Sequence, residues 1–133
     1  MSVNENKAVV REFIAKVLMG RDVDMVDKLL AANYVNRSMG NADLAGFKAL
    51  LSAMKSAITT MDIEIEDIMG EGDSVVIRGK LNVTQTTGKR ITARIITYYR
   101  LANGKIVEDD PMSNPDMAQL LGNIVPPKPV HQG

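Results

Sequence analysis

Three consecutive carboxylates, Glu108-Asp109-Asp110, follow closely on an Asn103-Gly104 pair. Asn-Gly is the preferred core of a two-residue hairpin, because both central residues of a type I′ turn take positive φ. The segment Lys105-Ile106-Val107 therefore starts a strand, and the acids lie at its far end. Acids in that place have two uses. They form a solvated strand end, with Pro111 stopping the ladder. Alternatively, one of them faces a pocket, where burial disfavours the charged form and raises its pKa. Such a group can move a proton to or from a carbon next to a carbonyl. Neighbouring strand residues point to opposite faces, so at most one of Asp109 and Asp110 can act this way. Glu108 is read as a surface or dimer-contact residue.

Composition removes most competing chemistries. The chain has 133 residues, 16 basic and 16 acidic, and no cysteine. Disulfides, thiolate zinc sites and cysteine nucleophiles are excluded. The single histidine, His131, sits in a tail containing Pro126, Pro127 and Pro129. A histidine general base, a catalytic triad and a histidine metal site are accordingly not expected, and neither a metal nor a cofactor is predicted. The charge balance shows no basic stripe, so nucleic acid is not a predicted partner. No apolar run is long enough to span a bilayer. The residues Met1-Ser2-Val3-Asn4-Glu5-Asn6-Lys7 lack the features of a signal peptide, and a cytoplasmic protein with no membrane partner is expected. The turns at Gly70-Glu71-Gly72 and Thr87-Gly88-Lys89 open no helix and are not phosphate loops.

The elements that must hold the acids divide the chain in two. Val10, Phe13, Ile14, Val17 and Leu18 recur at helical spacing, with Asn4 as candidate N-cap and Gly20 as stop. A short second helix carries Met25, Val26, Leu29 and Leu30, capped by Asp22 or Asp24. A third, beginning near Asn41, buries Leu44, Phe47, Leu51, Met54 and Ile58. Beyond it, apolar residues alternate. Met61, Ile63 and Ile65 form a half-buried strand whose alternation slips at Asp67-Ile68, the mark of a bulge. Val75, Ile77, Leu81 and Val83 line the next strand. Ile91, Ala93, Ile95, Thr97, Tyr99 and Leu101 share one face of a long third, opposite Arg94, Ile96, Tyr98 and Arg100. A helical turn over Met117–Leu121 and the Pro-rich tail close the chain. Helices followed by a meander predict an α+β domain over residues 1–122, with 123–133 as tail.

Four segments together resemble the SnoaL-like polyketide cyclase family. They are Asn33-Tyr34-Val35-Asn36-Arg37-Ser38, Gly72-Asp73-Ser74-Val75-Val76-Ile77-Arg78, Thr87-Gly88-Lys89-Arg90-Ile91 and Gly104-Lys105-Ile106-Val107-Glu108, followed by Gln119-Leu120-Leu121-Gly122. The resemblance implies a cone-shaped, curved antiparallel sheet packed on three N-terminal helices, the α+β roll shared with nuclear transport factor two and ketosteroid isomerase. It implies a cofactor-free enzyme that cyclises or isomerises a small apolar carbonyl compound. The acid/base would be Asp110, or Asp109. Thr97 falls where the family's cyclases carry a histidine. Tyr99, Thr97, Tyr34, Asn36, Ile95 and Phe13 would contact the ligand, while Val17 and Met54 read mostly as core. The alternatives are a non-catalytic ligand-binding module, favoured by the missing histidine, and an epoxide hydrolase-like or dehydratase-like enzyme using an Asp-Arg-Asp relay. A homodimer through the face with Arg94, Ile96 and Tyr98 is also expected.

Overall fold

The computed structural model describes residues 1–116 and Leu120. The rest of the expected Met117–Leu121 turn, the 122/123 domain boundary, the Pro-rich tail and His131 lie outside the described residues. Helix α1 (Val3–Glu12) starts at Ser2, not at Asn4. Ser2 Oγ accepts the Glu5 N–H at 3.0 Å and Glu5 Oε1 accepts the Ser2 N–H at 2.8 Å. This reciprocal box satisfies two donors that an Asn4 cap would have left to water. The helix runs on through Phe13–Met19 in wider, π-type turns, where the Gly20 N–H reaches back to the Ala15 carbonyl at 3.0 Å. Phe13, Ile14 and Val17 of this segment are buried in the core. A 3-10 turn, Val23–Met25, capped by the Asp22 side chain, leads into the short helix α2 (Val26–Leu29). Leu30 belongs not to that helix but to strand β1 (Leu30–Asn36). Helix α3 (Leu44–Ala57) begins at the Asp43 cap, slightly later than expected, and buries Phe47, Leu50, Leu51 and Met54.

The remaining strands are β2 (Ile58–Glu71), β3 (Ser74–Gln85), β4 (Arg90–Ala102) and β5 (Lys105–Asn114). They form one sheet in the order β1-β5-β4-β3-β2. All pairings are antiparallel except β1 with β5. The helices cover one face, which carries Val75, Ile77, Leu81, Ala93, Ile95, Tyr99 and Leu101 in a continuous core. Two of the sheet's register shifts bear on the site. On β2 the register shifts between Ile65 and Asp67, the expected bulge, opposite Gly79. A Cβ at Gly79 would sit 2.0 Å from the Glu64 carbonyl oxygen, so only glycine admits this close strand crossing. On β5 the register shifts again, because Arg100 pairs with Glu108 while Leu101 pairs with Ile106. Val107 is the extra residue.

Strand β5 does not end at its acids. It pairs with β4 through Pro111 to Asn114. Asn36↔Asp109 is the last pairing on the β1 side, so Pro111 falls where β5 has become an edge. There a missing N–H is tolerated. No helix among the described residues is long and apolar enough to cross a membrane.

Candidate active site

Between the helices and the concave face of the sheet lies a cavity of about 60 Å³. Its walls are apolar: Leu18 from the π-type turns, Phe47, Leu50 and Met54 from α3, Met61 from β2, and Ile95 from β4. Four polar side chains reach it: Asn36, Thr97, Tyr99 and Asp109. Among the described lining residues none is basic, and Asp109 is the one carboxylate.

Asp109 occupies the third strand-pair position that two neighbours share. It lies opposite Asn36 on β1 and opposite Tyr99 on β4. Its exposure is 4%. Buried carboxylates need partners, and among the described residues Tyr34 supplies a hydrogen bond. The Tyr34 hydroxyl donates to Asp109 Oδ2 at 3.0 Å. Asn36 Nδ2 donates to the same tyrosine oxygen at 3.3 Å. Asn36 Oδ1 in turn accepts from the Ser38 N–H at 3.0 Å and from Ser38 Oγ at 2.9 Å. A directed chain thus runs from the surface to the carboxylate: Ser38, Asn36, Tyr34, Asp109.

Burial pushes the Asp109 pKa up to about 7, against the pull of the Tyr34 hydrogen bond and with a smaller push from the charge of Asp110. The Tyr99 hydroxyl is raised well above its ordinary range by burial, then by the Asp109 charge. A hydrogen bond from Thr97 opposes that rise. Tyr99 therefore stays protonated, with a hydroxyl that could donate to a ligand oxygen. Tyr34 is raised by burial and by Asp109, so it stays a neutral donor.

The arrangement corrects several expectations. Asp110, the first choice for acid/base, pairs with Tyr98 on the outer face. The extra residue at Val107 reverses the alternation, and Asp109 takes the inward position instead. Tyr34 and Phe13 do not line the cavity. Tyr34 stands behind the acid, its ring 5.4 Å from Phe47. Phe13 packs behind the wall, 5.9 Å from Phe47 and edge-on to Tyr99 at 6.0 Å. Asn36, Thr97, Tyr99 and Ile95 do reach it. No arginine is among the described lining residues, so an Asp-Arg-Asp relay is not assembled. Arg78 pairs with Asp67, and Arg100 with Glu108 at 3.2 Å. Glu108 also takes Arg37 at 3.0 Å, and Arg37 first, with Arg100, holds its pKa below the usual range against the opposing effect of burial. Sequence reasoning missed Ser38 as a partner of the site. The signal was there in the Asn-x-Ser spacing, since an Asn side chain commonly accepts the N–H two residues on. Among the described residues no three His, Cys, Asp or Glu side chains converge in a way that could hold a metal ion.

Solved structures share this architecture. An NTF2-like protein of unknown function from Burkholderia pseudomallei superimposes with a TM-score of 0.74 at 20% identity, over 92% of this chain and 99% of that one. A candidate SnoaL-like polyketide cyclase from Jannaschia gives 0.75 at 16% identity, over 94% and 95%. An LEH-like epoxide hydrolase from M. tuberculosis gives 0.75 at 20% identity, over 90% of each chain. No curated protein matches the sequence. At these identities the likeness speaks for the fold alone. The sequence itself matches the SnoaL-like domain over residues 10–109, from Val10 on the first helix to the buried carboxylate. With the greater part of its length inside that match and the same helix-on-curved-sheet architecture, the chain belongs to the family of SnoaL-like domains.

Proposed function

We infer that the protein is a cofactor-free acid/base catalyst acting on a small, uncharged, apolar carbonyl compound, by cyclisation or isomerisation. The observation that carries this reading is one inward carboxylate, held by a tyrosine and titrating near neutrality, in a cavity otherwise walled by hydrocarbon. A base is most effective when its pKa lies near the working pH. The Asp109 carboxylate would take a proton from the carbon next to the ligand carbonyl, and the C–H pair would become an enolate. The Tyr99 hydroxyl, with Thr97 behind it, would donate to the enolate oxygen. In isomerisation, Asp109 returns the proton to another carbon. In ring closure, the enolate carbon attacks a second carbonyl of the same molecule, and the new alkoxide takes the proton from Asp109. No atom is left over in either course. The absence of basic side chains from the described lining favours a neutral ligand over an anionic one.

The test needs no knowledge of the natural substrate. A panel of neutral mono- and bicyclic ketones and 1,3-diketones is incubated with the protein in D₂O, and deuterium entry next to the carbonyl is followed by mass spectrometry. Exchange above the buffer rate for some members is expected. Tight binding of a panel member with no exchange would favour a ligand-binding module.

The same reading includes a homodimer. Ile96 and Met112 face each other on the outer sheet surface, 50% and 62% exposed. Arg94 and Asp110 flank them, one of each sign, as a self-complementary two-fold contact requires. Ile96→Glu is expected to convert the dimer to monomer in sedimentation velocity while the fold persists. A wild-type chain that sediments as a monomer at tens of micromolar (about the range of such assays) would remove this part of the reading.

A further inference from the structure

We propose that Ser38 is a positioning residue for Asp109: its two hydrogen bonds to Asn36 Oδ1 fix the amide so that the Tyr34 proton has a single acceptor, the Asp109 carboxylate. This rests on the acid/base reading above. The argument begins with the symmetry of an asparagine amide. Its oxygen and nitrogen ends have nearly the same shape and opposite hydrogen-bonding roles. Asn36 is 5% exposed and touches the Tyr34 hydroxyl with its Nδ2 end. With that end forward, the tyrosine oxygen is an acceptor, and its own proton is left for Asp109 Oδ2. With the amide turned over, Asn36 Oδ1 would face the hydroxyl and compete for the same proton. The carboxylate would then lose the Tyr34 donor for part of the time.

The Tyr34 hydroxyl can donate or accept, so by itself it does not choose between the two ends. The choice is made outside, where the Ser38 N–H and hydroxyl both meet Asn36 Oδ1 at 3.0 and 2.9 Å. A turned amide would set its N–H₂ against the Ser38 N–H, which can only donate, and the Ser38 hydroxyl would have to give up its donation and accept instead. Ser38 itself is exposed, on the 3-10 turn Arg37–Met39. The turn does not depend on the serine hydroxyl for its place. Arg37 binds Glu108 at 3.0 Å and Asn41 Oδ1 at 3.2 Å, and Gly40 closes it with φ of 70°. Glu108 precedes Asp109 in the chain, so the turn is tied to the strand that carries the acid. A surface hydroxyl therefore bears on a buried proton through two intermediaries, without touching the ligand.

The test titrates the Asp109 side-chain carboxyl by ¹³C NMR in wild type, Ser38→Ala and Ser38→Thr. Loss of the hydroxyl leaves the Ser38 N–H in place, so the effect is partial. The Asp109 pKa is expected to rise by roughly half a unit in the alanine variant, because a hydrogen bond to the charged form is weakened. Threonine keeps the donor and is expected to restore the wild-type value. Melting temperatures of the three should lie close together. An alanine variant that melts lower while Asp109 titrates as in wild type would make Ser38 a turn cap and nothing more. That result would leave the acid/base reading standing. A wild-type Asp109 in the ordinary carboxylate range would overturn both.

Discussion

Asp109→Asn is expected to give a protein that is folded, more stable than wild type above neutral pH, and without deuterium-exchange activity. The stability follows from linkage. Burial raises the Asp109 pKa from 3.8 to about 7 in the folded protein. Between those values the folded state keeps a proton that the unfolded state has lost, so stability falls as pH rises through the window. It is greatest below the lower value and levels off above the upper one. At about 1.4 kcal/mol per pKa unit, the whole fall is on the order of 4 kcal/mol. Asparagine cannot ionise, and its oxygen can still accept from Tyr34. The variant should therefore lack this contribution to the pH slope, and gain most over wild type at pH 8. Urea unfolding at a series of pH values from 3 to 9 makes the comparison. Catalysis is expected to drop by roughly 10²–10⁴-fold, the usual worth of a general base. Parallel stability curves for the two proteins between pH 4 and 7 would mean that Asp109 is not a strained carboxylate, and the acid/base reading would fall with it.

Tyr34→Phe is expected to shift the pH dependence of activity instead of abolishing it. Phenylalanine keeps the ring that packs 5.4 Å from Phe47. It removes the donor to Asp109 and the acceptor of Asn36 Nδ2. Two buried polar groups lose a partner, and groups so orphaned cost about 1–3 kcal/mol each. The Tyr34 hydrogen bond is the main influence holding the Asp109 pKa down against burial. Without it, Asp109 should titrate well above 7, so at neutral pH the acid is protonated and cannot act as a base. Activity at pH 7 should fall by about fivefold or more, for a shift of one unit or more from a wild-type acid half ionised at that pH, and recover towards wild type in more alkaline buffer. An unchanged pH midpoint would show that the tyrosine supports the fold without tuning the acid.

Much of the fold was legible because apolar spacing reports which face is buried. The helical stripe through Phe13 and Val17, the alternation from Ile91 to Leu101 and the slip at Asp67-Ile68 all correspond to what the structure has. Helix starts were less legible. Ser2, Asn4 and Asp43 all have good capping side chains, and which one caps depends on the residues that can answer it, Glu5 in one case and the Gly46 N–H in the other. The site was legible only in part. Thr97, Tyr99 and Ile95 follow from alternation on a regular strand. Tyr34 and Phe13 are expected from the sequence to meet the ligand, but inward residues divide into those that wall a cavity and those behind the wall. That division is a matter of three-dimensional packing. The choice between Asp109 and Asp110 was hidden by Val107, since a bulge residue there is as apolar as its neighbour Ile106 and leaves no trace in the pattern.

That extra residue gives β5 a parity. Each single-residue insertion or deletion between the Asn103-Gly104 turn and the acids exchanges the two sides of everything beyond it, whereas a change of two residues restores them. Asp109 and Asp110 are therefore two settings of one switch in the gene: the same pair of codons offers a buried acid and a solvated one, and the count of residues upstream selects which is which. A family whose members differ by one residue in this hairpin can keep its chemistry while the acid moves by one place in the alignment. In such a family, column-by-column agreement at the acid is a poorer guide to function than the register of the strand that carries it.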